Sequence, residues 1–499
     1  MRRLLKTNEL RRLELVELLS NSHSWVTIEE IAKSLNCSPR VIKDDIVILR
    51  DYSHSFNIES SYQGIRLTFD PQHTIKTFYR QVLDNSIAFK ILELIFFNDG
   101  ITSEEIQDAL YISHSSLYRI LKIMEEPLKS LFNISVDSRH CRLVGDEEAI
   151  RFFYNVYFIE RYAYSEWPFT TIDEKALTDL LKITLNYIKL NVSHANFINF
   201  KFLTAVSLSR LRNNYRIDLT LEQTNLHELL IHPFEITPEF YDTIKQLNIH
   251  ITEDVLLQLF TLYIRKDFSL TYEGLINKSQ YNHELKRSIE AMDQLLEELS
   301  ITYNIPLVNK EEIILTVQNT TYNEGYLPHT AYILYNPNEE LMMEIEKFSP
   351  EFIYDLTVKV QHYRQLVSKP IGHFTIEHLV YQICVRWKHL LIELNNRWST
   401  IRALIVSDLS DGRLELVKDL LELNFGQRLE LEVYDGTDLS NEFLSDLDKD
   451  LIISTSPLPT VTSLPVVCFN GDTTRRELKF FLKMINEIAE GKHATKIIK

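Results

Sequence analysis

Two stretches of this chain, 75 residues apart, follow one plan, and that repeat restricts the fold more than any other feature. In TIEEIAKSLNCSPRVIKDDIVILR, residues 27–50, Thr27 and Glu30 make the T-x-x-E pattern of a capping box. It predicts a helix from Ile28 with Ile31, Ala32 and Leu35 on one face, ending near Asn36. Ser38 is a good N-cap and Pro39 suits a first helical position, so a second helix is expected over about 39–52. Ile42, Ile46 and Leu49 fall on its core face; Arg40, Lys43, Asp44, Val47 and Arg50 fall opposite. FNIESSYQGIRLTF, residues 56–69, places two β-prone runs around a turn with Gly64 and reads as a hairpin. With a further helix over about 9–20, the whole is a winged helix-turn-helix whose second element would lie in a major groove. Arg40, Lys43 and Arg50 are candidates to reach bases or phosphates, and Arg66 in the wing to reach a phosphate. Taken alone, the stretch leaves open a helical hairpin that packs on its neighbours and binds nothing.

The second copy narrows that choice. At an offset of 75, Thr27, Glu30, Ile31, Leu35 and Ser38 fall on Thr102, Glu105, Ile106, Leu110 and Ser113, while Ile42, Ile46 and Leu49 fall on Leu117, Leu121 and Met124. At an offset of 76, Asn57-Ile58 and Arg66-Leu67 fall on Asn133-Ile134 and Arg142-Leu143. A repeat that keeps caps, core and wing together argues for two DNA-binding modules. The free face of the second helix here would carry Ser115, Tyr118, Arg119, Lys122 and Glu125. It is less basic than a strong base reader, and suits orientation on phosphates.

A net charge of −17 looks wrong for such a protein, but its distribution is not. Residues 1–69 hold 10 Lys and Arg against 9 Asp and Glu, so the acidic excess lies in the remaining 430 residues. Any nucleic-acid contact is therefore local, and the acidic bulk reduces non-specific adhesion to DNA. Glycine is scarce, 11 of 499 residues, and neither GxGxxG nor GxxxxGK[ST] occurs, which argues against nucleotide-binding folds and for a mainly helical chain. Cys37, Cys141, Cys384 and Cys468 are scattered, without the spacing of a disulfide scaffold or zinc site. The charged start MRRLLKTNELRRLELVELL is not a signal peptide, and no run of 18 apolar residues exists, so a cytoplasmic protein with no membrane contact is expected.

Residues 150–395 are helical by pattern. EWPFTTIDEK, 166–175, reads as an entry loop, and Asn277–Asn282 as a seam between two bundles. Phe152, Phe153, Tyr154 and Tyr157 read as helical core. Histidines are frequent here, but with no HExxH and no metal-ligand cluster each is by default structural, and no metal or cofactor is expected. Near Thr400 the pattern changes. IRALIVS (401–407), the loop DLSDG, the helix RLELVKDLLELN and RLELEVY form a βαβ unit; LIIST (451–455) and PVVCF (465–469) add strands, and TRRELKFFLKMINEIAE a closing helix.

This order of parts resembles the Mga-type virulence regulators of Gram-positive bacteria, which include the anthrax toxin activator. The local signature is LVGDEEAIRFFY, residues 143–154, similar to the L-x-G-[DE]-E-x-x-I-R bridge of regulators that carry phosphotransferase-system regulation domains. The resemblance implies a mainly α, multidomain chain: winged helix-turn-helix domains at 1–70 and 71–150, helical regulation domains at 151–280 and 281–397, and an EIIB-like α/β domain at 398–499. It implies histidine phosphorylation by phosphocarrier proteins of the sugar phosphotransferase system, and a homodimer formed through the last domain. His194 is its best match to a first-bundle acceptor, with His250 second; His329 and His378 compete in the second bundle. The chain departs from a working EIIB, which has a cysteine or histidine after its first strand: here stand Ser407, Asp408 and Leu409, while Cys468 is expected buried on a late strand.

The expected function is thus a DNA-binding transcription regulator and not an enzyme: an activator of virulence or carbohydrate-responsive genes, acting on promoter double-stranded DNA under control of histidine phosphorylation and dimerisation. A relay protein of the phosphotransferase system, a sugar-operon activator with the same bundles, and a scaffold that binds no DNA are the alternatives.

Overall fold

The computed structural model describes residues 1–499 apart from 23, 53–54, 164, 188–191, 220–223, 225–237, 251, 266–267, 324–331, 368–372, 397–399, 437–438, 441–442, 444–446, 459–463, 469–480, 482–483, 486–487 and 489–499. It divides into two compact units: Met1–Asp293 with Glu311–Met343 and Thr357–Arg386, and Gln294–Lys310 with Glu344–Leu356 and Trp387–Lys499.

The first unit begins with α1 (Thr7–Asn21), α2 (Ile28–Ser34) and α3 (Pro39–Tyr52), followed by the antiparallel hairpin of β1 (Phe56–Ser61) and β2 (Gly64–Phe69). Leu13, Val16, Leu19, Ile31, Ile42, Ile46, Leu49, Ile58 and Ile65 are buried together, so the i, i+4, i+7 spacing on α3 does point inward. Val26 extends the wing as a third strand, exchanging backbone bonds of 2.9 and 2.8 Å with Ile65. This explains Gly64: at φ +133°, a β-carbon there would sit 2.3 Å from the Val26 carbonyl oxygen. Asp45, buried on α3, takes hydrogen bonds from Arg11 (2.5 and 3.2 Å) and Arg12 (2.9 Å) and so fixes α1 to α3.

α4 (Ile75–Asn85) then packs against α1 through Phe78, Tyr79, Val82 and Leu83. The second copy follows as α5 (Ile87–Phe97), α6 (Ser103–Leu110), α7 (His114–Phe132), β3 (Ile134–Asp137) and β4 (Arg142–Gly145). α7 is longer than α3 and contains Pro127.

From β4 the chain enters α8 (Glu147–Tyr162), which has Phe153, Tyr154, Tyr157 and Phe158 wholly buried; Phe152, expected with them, is only partly buried. The entry loop is pinned rather than loose: Trp167 Nε1 donates to the Ile172 carbonyl at 2.8 Å, and Phe169 is buried. α9 (Glu174–Tyr187) and α10 (His194–Arg212) come next, then α11 (Pro238–Gln246), α12 (Glu253–Ile264) and α13 (Tyr272–Ser279). α10 packs on both α8 and α12 and is buried around most of its circumference, which suits a central helix.

The second unit contains a four-stranded, wholly parallel sheet in the order β6-β5-β7-β8: β5 (Ile401–Val406), β6 (Leu429–Val433), β7 (Leu451–Ser454) and β8 (Val466–Cys468). α14 (Asp411–Phe425) crosses between β5 and β6 and lays Val417, Leu421 and Phe425 on Ile401, Ala403 and Ile405. Leu404, Val406 and Ile452 face the other way and are covered by Tyr434, Leu447 and Leu464, so the sheet is buried on both faces, as parallel sheets require. The expected closing helix lies mostly outside the described residues. Cys468 corrects an expectation: it is exposed, because it ends an edge strand, with Sγ 4.0 Å from the Ser456 carbonyl.

Candidate nucleic-acid interface and regulatory histidines

Both helix-turn-helix elements are capped by the residues that the repeat singles out. Thr27 Oγ1 accepts from the Glu30 N–H at 3.2 Å while Glu30 returns a carboxylate to the Thr27 N–H at 2.9 Å; Thr102 and Glu105 do the same at 3.2 and 2.8 Å. Ser113 caps α7, accepting from Ser116 N–H at 3.2 Å. Thr27 and Thr102 thus start α2 and α6, the helices ahead of each turn, and Ser113 starts α7.

Arg40, Lys43, Asp44, Val47 and Arg50 are exposed on α3, and Ser115, Tyr118, Arg119 and Lys122 on α7. They divide by what they touch. Arg40, Lys43, Arg119 and Lys122 have no ion pair among the described residues. Arg50 instead reaches back to the wing, donating to the Ile58 carbonyl at 2.9 Å and to Ser60 Oγ at 2.5 Å. Arg66 pairs with Glu59 at 2.7 Å and stacks its guanidinium 4.8 Å from the Trp25 ring centre. Ser115 Oγ bonds Ser113 Oγ at 3.0 Å. Of the first-copy cations singled out, then, Arg40 and Lys43 are open to a ligand, while Arg50 and Arg66 brace the wing.

Three features of this surface escape a sequence reading. Tyr62, at the wing tip, and Tyr111, in the second helix-turn-helix turn, are both 96% exposed. Tyr111 is also left-handed, φ 52°, at the repeat position that Asn36 occupies with φ 49° in the first copy. Asparagine tolerates that conformation and tyrosine adopts it at a cost. The available signal was a tyrosine aligned with a turn asparagine. The third lies beneath the surface: Asp45, next to exposed Asp44 in sequence, is buried against Arg11 and Arg12.

α8 joins the second wing to the helical region, and its signature residues each have a partner. Asp146 caps it, accepting from Glu148 N–H at 2.8 Å and Ala149 N–H at 3.2 Å. Glu147 takes Arg151 Nε at 2.9 Å and Arg210 at 3.0 and 2.6 Å; Glu148 is bound by Arg265. Arg151 continues to the Gln258 carbonyl (2.6 Å) and the Tyr215 carbonyl (3.0 Å). Burial pushes the Glu148 carboxyl up and Arg151 down, and their partners oppose both shifts.

The four histidine candidates differ in setting. His194 is exposed as the first residue of α10, where Ser193 caps the helix by accepting from Asn196 N–H at 3.2 Å. A helix N-terminus is a favourable place for an added dianion. His250 is exposed just ahead of α12. His378 is partly buried on the helix His373–Arg386, with Nε2 3.2 Å from Gln382 Nε2, and burial followed by Arg386 lowers its pKa to about 4. His329 lies outside the described residues. In the second unit, the loop after β5 is closed by hydroxyls: Asp408 accepts from Thr455 and Ser456 at 2.7 Å each, which holds its carboxyl below the usual range. Among the described residues no cluster of His, Cys, Asp or Glu could hold a metal, and no helix is long and apolar enough to cross a membrane.

Comparison with known proteins agrees with this layout. An HTH domain family matches residues 11–66, the Mga helix-turn-helix domain matches 68–158, and the M protein trans-acting positive regulator (MGA) PRD domain matches 173–390. A protein of Streptococcus pneumoniae serotype 4 described as a trans-acting regulator is 28% identical over 479 residues, covering 95% of this chain and 97% of its own. The capsule synthesis positive regulator AcpB of Bacillus anthracis is 22% identical, covering 94% and 96%. The anthrax toxin expression trans-acting positive regulator of the same organism is 20% identical, covering 96% and 99%.

Proposed function

This chain belongs to the Mga-type transcriptional regulators, and from that premise we propose that it activates transcription by laying α3 and α7 on promoter DNA, under control of histidine phosphorylation. Two of the relatives named above are positive regulators, and this chain itself matches helix-turn-helix and PRD family models. The observation that carries the reading to particular residues is the pair of exposed helices whose outward cations, Arg40 and Lys43 on one, Arg119 and Lys122 on the other, have no ion pair of their own among the described residues. Such cations release counterions on meeting phosphates.

His194 is the first acceptor in this reading, since it is exposed at a helix N-terminus; His250, His329 and His378 follow. Phosphorylation by the sugar phosphotransferase system's carriers would place a dianion on α10, the helix that Arg210 ties to Glu147 of α8. The last domain, read as EIIB-like, forms a homodimer rather than relaying phosphate, because Ser407, Asp408 and Leu409 stand where a relay needs a nucleophile. The cytoplasm is the compartment this function requires.

A gel-shift titration of promoter DNA against salt tests the proposal. Wild type should lose affinity steeply as salt rises, and each of Arg40→Ala, Lys43→Ala, Arg119→Ala and Lys122→Ala should lower the log–log slope by about 1 if it meets a phosphate. Unchanged affinity in all four variants would remove these helices as the DNA-binding surface.

A further inference from the structure

We propose that Arg139, at the tip of the second wing, enters the minor groove of A·T-rich DNA beside the segment that α7 covers; this rests on the reading that α7 lies on DNA. The hairpin of β3 and β4 turns through residues 138–141. Asp137 Oδ1 accepts from the Arg139 N–H at 3.1 Å and the His140 N–H at 3.3 Å. Its Oδ2 lies 2.7 Å from His140 Nδ1 and 3.5 Å from Arg142 Nε. These contacts fix the tip and take up its one carboxylate. Cys141, 2% exposed, turns the returning strand back into the core. Arg139 itself is exposed, and its side chain has no hydrogen bond or ion pair among the described residues.

The wing also has a fixed place against α7. Glu125 Oε2 accepts from the Val136 N–H at 3.0 Å. Glu125 stands at the repeat position of Arg50, which ties the first wing to α3 through the Ile58 carbonyl. The two copies thus brace wing to helix at one position, with opposite charges. Their tips differ: the first presents Tyr62 and Gln63 and no charge, the second Arg139. The outward residues of α7, Ser115 to Lys122, fill its first half, and the brace at Glu125 follows them. With that half in a major groove, the wing crosses the neighbouring phosphates and its tip meets the next minor groove. That groove, about 6 Å wide, admits one side chain rather than a helix. A·T-rich stretches narrow it and deepen its negative potential, which attracts arginine, whereas guanine places an amino donor there that a guanidinium cannot pair with.

Gel-shift titrations test it, using duplexes that the full chain selects from a random-sequence pool, each made with adenine and again with 2,6-diaminopurine in its place. Diaminopurine adds guanine's amino group to the minor groove and leaves the major-groove edge unchanged. Wild type should bind the diaminopurine form more weakly, by about fivefold or more. Arg139→Ala, a change at an exposed tip, should bind both forms alike, at the weaker level. A wild type indifferent to diaminopurine overturns the assignment. So does an Arg139→Ala protein that keeps the wild-type ratio; with a salt slope lowered by about 1, Arg139 would instead meet a phosphate. Lys122→Ala tests the reading of α7 separately: it should weaken both forms by one factor, and affinity equal to wild type removes α7 from the DNA and this inference with it. If the full chain selects no duplex, the DNA-binding reading itself fails.

Discussion

Arg210 of α10 grips Glu147 of α8 at 3.0 and 2.6 Å, and each side chain is at most 10% exposed. Glu147 is the first residue after the second wing's cap, so this pair is where the DNA-binding half is fastened to the helical half. Arg151 shares the same carboxylate, and Tyr215 lies over the Arg210 guanidinium, 3.6 Å from ring centre to carbon.

Removing one partner of such a buried pair leaves the other charge unpaid in low dielectric, which costs roughly 3–5 kcal/mol. Glu147→Gln should therefore lower the urea midpoint of the full chain strongly, since both Arg210 and Arg151 lose their counter-charge. Arg212→Gln on the same helix, whose guanidinium bonds only backbone and hydroxyl oxygens among the described residues, serves as the milder control.

Gly64→Ala should destabilise the first module by roughly 1–3 kcal/mol, because a β-carbon would meet the Val26 carbonyl at 2.3 Å in a left-handed backbone. Gly145→Ala, at the base of the second wing where it pairs with Ile134, meets its nearest atom at 3.3 Å and should cost less. Thermal unfolding of the two variants checks the order.

Tyr111→Asn installs the turn residue of the first copy. It should stabilise the second module by about 0.5–1 kcal/mol through relief of the left-handed strain, while lowering DNA affinity if the ring is a contact. Paired unfolding and gel-shift measurements separate the two effects; a variant that is both less stable and fully DNA-binding contradicts the reading.

His378 gives a pH prediction. Its folded pKa, about 4, lies below its ordinary 6.5, so between these values the unfolded chain holds a proton that the folded chain does not. Stability should fall as pH drops from about 6.5 toward 4, by at most ~1.4 kcal/mol per pH unit from this group, and His378→Gln should flatten that part of the profile. The same neutral, half-buried ring makes it a poorer meeting point for a phosphocarrier than His194.

The sequence alone determined the elements and their order. Capping boxes at Thr27 and Thr102, the apolar spacing of Ile42, Ile46 and Leu49, and the hydrophobic runs of β5 and β7 are local patterns, and local patterns follow from chain geometry within a few residues. The family too was legible, through the L-x-G-[DE]-E-x-x-I-R run that ends the second wing and opens α8. What only the tertiary structure decided is which charges remain available. Arg40 and Arg50 are equivalent in sequence, yet Arg50 is turned to the wing by Ile58 and Ser60. Asp44 and Asp45 are neighbours, yet only Asp45 is buried, against Arg11 and Arg12. A cavity of about 360 Å³ beside Asn155 joins residues from 76 to 335 and has no sequence signature at all. Charge pairing and enclosed space depend on contacts between distant segments, and those exist only once the chain has folded.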